Sequence, residues 1–176
     1  YVLCEYPNND QPTTINLLAS FGTSSSIPAC ANLAAKSTVK TKKPPPRHAV
    51  DISEEAGVRY LHFGSDWVQG AMRIARPWSL ELAYTREMMA GLLLRGDSHW
   101  PRSALLVGLG AGSLAKFIYR NLPDCRITVV EINPQVEFIA RQYCKLPDDP
   151  VPLTVTIGDG ADYMLAGERC FDYSLV

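Results

Sequence analysis

Three glycines alternate through the segment LLVGLGAGSL, at Gly108, Gly110 and Gly112, and a carboxylate, Glu131, follows at the end of the next apolar run. Residues without a Cβ let a backbone bend sharply and let a ligand approach it closely. A helix starting just after such a turn aims its free N-terminal amides at whatever sits there. An acidic residue about twenty positions on, at a strand end, can accept hydrogen bonds from ribose hydroxyls. A second carboxylate, Asp159, stands between Gly158 and Gly160 directly after the run Leu153 to Ile157. That places it at the same edge of a parallel sheet. Together these residues can hold a nucleoside.

The elements that must position them can be read outward from the turn. Ala104 to Val107 is a buried strand, the residues after Gly112 a helix, and Ile127 to Val130 a second buried strand ending at Glu131. The dinucleotide fingerprint places glycine at the sixth position of G-x-G-x-x-G, where this chain has Ser113. G-x-G-x-G with an acidic second strand end fits an S-adenosylmethionine-type fold, whose ligand carries no pyrophosphate. Three glycines can also make a tight strand-to-helix turn with no ligand at all. The strands, the helix and Glu131 around them favour the nucleoside site.

Downstream, Asn133 and Pro134 read as the cap and first position of a third helix, with Val136, Ile139, Ala140 and Tyr143 facing inward. Pro147 to Pro152 is a loop, Leu153 to Ile157 a third strand, Ala161 to Ala166 a short helix and Phe171 to Val176 a fourth strand. The fold class is α/β, a Rossmann-like parallel sheet that is partial, since a doubly wound sheet normally continues. Upstream, Val58 to Phe63 and Trp67 to Ile74 form a β-hairpin turning at Gly64, with Val68, Met72 and Ile74 on one face and Gln69, Ala71 and Arg73 on the other. Ser79 then caps a helix from Leu80 to Leu94, with Gly96 ending it and Leu80, Tyr84, Met88 and Leu92 as its apolar stripe. The chain thus divides into a poorly ordered or linker segment (1–49), a small antiparallel β unit (50–78) and a partial nucleoside-binding domain (79–176).

The first segment is turn-rich and carries the basic, proline-rich run Val39 to Arg47. Successive prolines favour extended polyproline structure, which suits a linker or a basic peptide that engages a partner. Pro28 to Ala35 fits a short helix. A net charge of −1 gives no electrostatic case for nucleic acid or an anionic membrane. No apolar run reaches the length of a membrane span. The five cysteines, Cys4, Cys30, Cys125, Cys144 and Cys170, form no C-x-x-C pair. Their scatter suits reduced thiols in the cytoplasm, although the first two could pair. His48, His62 and His99 are too dispersed for a metal site, Glu54-Glu55 and Asp148-Asp149 read as exposed turns, and Ser24 to Ser26 lack a nucleophile-elbow context.

Residues 50 to 176 resemble the spermidine synthase (polyamine aminopropyltransferase) family through the order of four segments. These are VQGAMRI (68–74), LAYTREMM (82–89), LLVGLGAGSL (105–114) with VVEINPQV (129–136), and TIGDGADYM (156–164) with FDYSLV (171–176). The resemblance implies transfer of an aminopropyl group from decarboxylated S-adenosylmethionine to an amine, leaving methylthioadenosine. It implies small-molecule donor and acceptor partners, no tightly bound cofactor and a homodimer. By the same resemblance Glu131 holds the ribose hydroxyls, Asp159 the adenine amino group, Tyr84 lines the amine pocket and Gln69 the donor site. The chain departs from the family in three places. Gln69 stands where Asp is frequent, Ala111 stands where an Asp would meet the donor's ammonium, and Thr85 rather than His follows Tyr84. The general-base Asp of the family falls just past the strand that FDYSLV begins, so the catalytic residue is unassigned in residues 1–176. Two other readings stand beside this one: an S-adenosylmethionine-dependent methyltransferase, which shares the turn and acidic strand ends, and a catalytically inactive nucleoside-binding protein.

Overall fold

The computed structural model describes residues 49–97, 99–167 and 170–176. The expectations for the first segment, including its short helix, its linker character and any pairing of Cys4 with Cys30, lie outside the described residues. Two sheets are present. Strands β1 (Val50–Glu55), β2 (Val58–Phe63) and β3 (Val68–Arg73) form an antiparallel sheet in that order. After α1 (Ala83–Ala90) and a 3-10 turn (Gly91–Leu94) come β4 (Ser103–Val107), α2 (Ser113–Asn121), β5 (Arg126–Glu131), α3 (Pro134–Tyr143), β6 (Leu153–Ile157), α4 (Gly160–Leu165) and β7 (Tyr173–Leu175). The second sheet is parallel with order β6-β5-β4-β7. The chain winds outward from β4 through β5 to β6, then returns to the other side of β4 as β7. The glycine turn after β4 therefore lies where the winding reverses, the place at which open parallel sheets bind ligands.

The two central parallel strands, β4 and β5, are apolar because they are buried along most of their length. Ala104, Leu106, Ile127, Val129, Leu153 and Leu175 join Ile118 of α2 and Val136 and Ala140 of α3 in one core. Leu61 of β2 belongs to the same core, with Val50, Ile52 and Phe63 packed against it. The antiparallel sheet is thus seated on the parallel one.

Three expectations are corrected. The antiparallel unit has three strands, not two: β1 pairs with β2 through the two-residue turn Ala56-Gly57, both at positive φ, the conformation that tight hairpins require. Its sequence VDISEE is mostly exposed, so as an edge strand it carries little apolar patterning. The helix expected over Leu80 to Leu94 is shorter. Ser79 does not cap it; the Ser79 amide donates to the Arg76 carbonyl in a preceding turn, and α1 begins after Leu82 with no side-chain cap. Arg86 donates to the carbonyls of Leu80 and Glu81, and Glu81 pairs with Arg73, which holds this stretch outside the helix. The chain tightens at Gly91 and is extended by Arg95, so Gly96 ends nothing. The buried positions are Thr85 and Met89, one residue on from the expected stripe. Tyr143, expected to face inward on α3, is exposed.

Candidate functional site

Gly108, Gly110 and Gly112 all take positive φ, at 95°, 53° and 68°, a region that side chains with a Cβ seldom adopt. Gly112 is the left-handed N-cap residue of α2. The Gly108 amide donates to Val130 O, extending the β4–β5 pairing into the turn. Beside it stands Glu131, only 5% exposed. Its Oε2 accepts from the Leu109 amide at 2.9 Å and its Oε1 from the Asn133 amide at 2.8 Å. A carboxylate held through both oxygens keeps its orientation and still has lone pairs to offer. Sequence reasoning placed Glu131 at this edge, and the structure brings it to the glycine turn.

Asp159 follows β6 at the same edge and is half-buried. It caps α4, with Oδ1 accepting from the Ala161 amide at 2.8 Å and more weakly from Asp162. Ile132, between Glu131 and Asn133, is 49% exposed. An isoleucine beside an ordered carboxylate offers an apolar surface to a flat ring. The apolar run through β5 gave no sign that this side chain emerges, because its exposure depends on the chain leaving the sheet after Glu131.

β3 is tied to the turn at three points. A side chain on Gly70 would meet the Ala111 amide nitrogen at 2.6 Å, one on Gly110 would meet Gln69 O at 3.1 Å, and Ser113 Oγ donates to Ala71 O at 3.0 Å. Ser113, the first residue of α2, thus ties that helix to β3 where a dinucleotide fold would have a bare backbone. Ala111 is buried with Met72 and Cys144, so no polar group is presented at that position. Gln69 is exposed beside the turn. Tyr84, 36% exposed, lines a recess of about 370 Å³ with Val68, Leu82, Ala83 and Glu87.

Sequence reasoning missed Lys116. It is buried, its Nζ donates to Cys144 O at 2.7 Å, and burial pulls its pKa down to about 8 against a small opposing effect of Cys144. Arg59 of β2 donates to the neighbouring Tyr143 O, so two cations satisfy the carbonyls that end α3. Among the described residues no group of three His, Cys, Asp or Glu side chains could hold a metal ion, and no helix is long and apolar enough to cross a membrane.

A polyamine aminopropyltransferase of Chromobacterium violaceum is 44% identical over 115 residues, which are 65% of this chain and 43% of that protein. The chain is a relative of the polyamine aminopropyltransferases. It spans less than half the length of the curated family members it matches. An eEF1A lysine and N-terminal methyltransferase of Danio rerio is 39% identical over 94 residues, 48% of this chain and 14% of that protein. The solved structure of a probable spermidine synthase from Corynebacterium glutamicum aligns with a TM-score of 0.53 over 68% of this chain and 43% of that one. At 18% identity that likeness shows the fold, a Rossmann-like sheet. No family model matches the chain.

Proposed function

We propose that this chain is the nucleoside-binding part of an aminopropyltransferase, taking decarboxylated S-adenosylmethionine as donor and a small amine as acceptor. The observation that carries the reading is Glu131, a buried carboxylate fixed by two backbone amides against the glycine turn. Its role is to accept from the ribose hydroxyls, with Asp159 accepting from the adenine amine and Gln69 flanking the donor. In the reaction the neutral amine nitrogen attacks the carbon next to the sulfonium. A C–N bond forms, the C–S bond breaks with its electron pair going to sulfur, and the amine sheds a proton to a base. The donor is a co-substrate, not a resident cofactor. Further parts of this reading are a cytoplasmic setting and a homodimer.

The methyltransferase reading draws on the similarity to the Danio rerio protein. Against it stands the antiparallel sheet docked on the glycine turn, a unit that methyl transfer does not need. Calorimetric titration with methylthioadenosine, S-adenosylmethionine and its decarboxylated form separates the two. Preference for the decarboxylated donor and for methylthioadenosine supports aminopropyl transfer, and preference for the intact donor supports methyl transfer. Glu131→Gln is expected to weaken methylthioadenosine roughly tenfold or more, because hydrogen bonds to a charged group contribute about 1.5–3 kcal/mol. Unchanged affinity in this variant removes the ribose assignment.

A further inference from the structure

We infer that Ser53 and His62 form a nucleophile–base pair on the outer face of the antiparallel sheet, an acylation site for activated acyl esters. It is independent of the nucleoside reading. Ile52 and Leu61 pack in the core, and successive residues of a strand face opposite ways, so Ser53 and His62 point away from it. The two are diagonal neighbours across β1 and β2, since Asp51 pairs with His62 and Ser53 with Tyr60. Ser53 Oγ is 2.8 Å from His62 Nε2. Ser53 is exposed and His62 half-buried, so a small ester can reach the hydroxyl while the ring is held.

A second contact fixes the ring. His62 Nδ1 lies 3.2 Å from Trp67 O. That carbonyl comes within reach because the β2–β3 register slips: Leu61 faces Gly70 but His62 faces Val68, leaving Gln69 as the extra residue of a bulge. Bulges of this kind re-aim side chains. A carbonyl oxygen only accepts, so Nδ1 carries the proton and Nε2 of the neutral ring is an acceptor. The Ser53 hydroxyl therefore donates to Nε2. Nucleophile, base and a group that orients the base are thus together, the arrangement that activates a serine. In the step, Oγ attacks the acyl carbon and a C–O bond forms as the hydroxyl proton passes to Nε2. The ester's own C–O bond then breaks with its electron pair going to the leaving oxygen, and the imidazolium returns its proton to water. The product is an acyl-serine at Ser53.

The probe is p-nitrophenyl acetate, whose leaving group needs no protonation. Peptide mass mapping over time compares acetylation of Ser53 with that of Ser65, an exposed serine between β2 and β3 of the same chain. General-base assistance contributes about 10²–10⁴ in rate, so Ser53 is expected to acetylate about a hundredfold faster. That comparison needs no variant. His62→Gln should bring Ser53 down to the Ser65 rate, and added imidazole should restore part of the rate in His62→Ala. Circular dichroism checks that each variant folds. Equal rates at Ser53 and Ser65 in wild type overturn the inference, as does an acetyl group carried by His62 rather than Ser53. A Ser53 rate that ignores His62→Gln overturns it too, and leaves the contact as a cross-strand tie.

Discussion

An ammonium inside an apolar core costs free energy, and Lys116 carries one. Burial lowers its pKa to about 8, while an unfolded lysine titrates near 10.4. Between these values the unfolded chain binds more protons than the folded one, so stability rises with pH across that window. Below about pH 8 the full penalty applies, on the order of 3 kcal/mol. Cys125 works in the opposite sense: burial pushes its thiol up to about 11, so its contribution is lost as pH rises past the ordinary cysteine value. The difference between wild type and Lys116→Met therefore isolates the lysine. Urea unfolding from pH 7 to 10.5 should show the variant gaining most at pH 7 and losing about 3 kcal/mol of that relative advantage by pH 10.5. Parallel curves would mean the ammonium is solvated after all. Asp159 needs a substitution that spares its cap. Asp159→Asn keeps an acceptor for the Ala161 amide, so stability should hold, whereas Asp159→Ala should cost about 1 kcal/mol. With the proposed adenine role, the asparagine variant loses a preference for adenosine over inosine. Equal binding of the two nucleosides by wild type would dismiss that role.

At the scale of elements, the join between β3 and the glycine turn decides whether the site is formed. A Cβ on Gly70 would lie 2.6 Å from the Ala111 nitrogen and 2.9 Å from its Cβ, and backbone cannot give way there as a flexible side chain would. Gly70→Ala should destabilise the protein by about 1–3 kcal/mol and weaken methylthioadenosine by displacing Gly110 and Leu109. Wild-type melting temperature and affinity in this variant would show that the sheet does not brace the turn. Much of the parallel sheet was legible because buried strands read as short apolar runs, and Asn133-Pro134 announced α3 through a real cap. What was not legible depends on contacts made across the chain. VDISEE is polar because one edge of its sheet meets water. Leu80 is drawn out of the helix by Arg86 and Arg73, and Ser113 differs from glycine because it reaches Ala71. Gly70 carries no local turn signal, and only the packing of one sheet on the other explains it.

For the whole molecule, the question is whether the carboxylates of the proposed nucleoside site suffice for turnover. The carboxylates shown at the strand edge have structural tasks: Glu131 is held by the Leu109 and Asn133 amides, and Asp159 caps α4. Asp172 is at the other end of the sheet. It precedes β7, and its Oδ2 accepts from the amides of Arg102 and Ser103, so it cannot meet an amine near Glu131. Ala111, buried with Met72 and Cys144, presents no charge beside the turn. Losing a positioned general base typically lowers a rate by about 10²–10⁴. Residues 1–176 should therefore bind methylthioadenosine yet release almost none from decarboxylated S-adenosylmethionine with 1,4-diaminobutane. The full-length Chromobacterium violaceum polyamine aminopropyltransferase serves as the active reference in the same assay. A rate within tenfold of that reference would overturn the prediction and place the base within residues 1–176. A rate lower by two orders or more, in a chain shown to bind the nucleoside, leaves Glu131 and Asp159 as binding groups only.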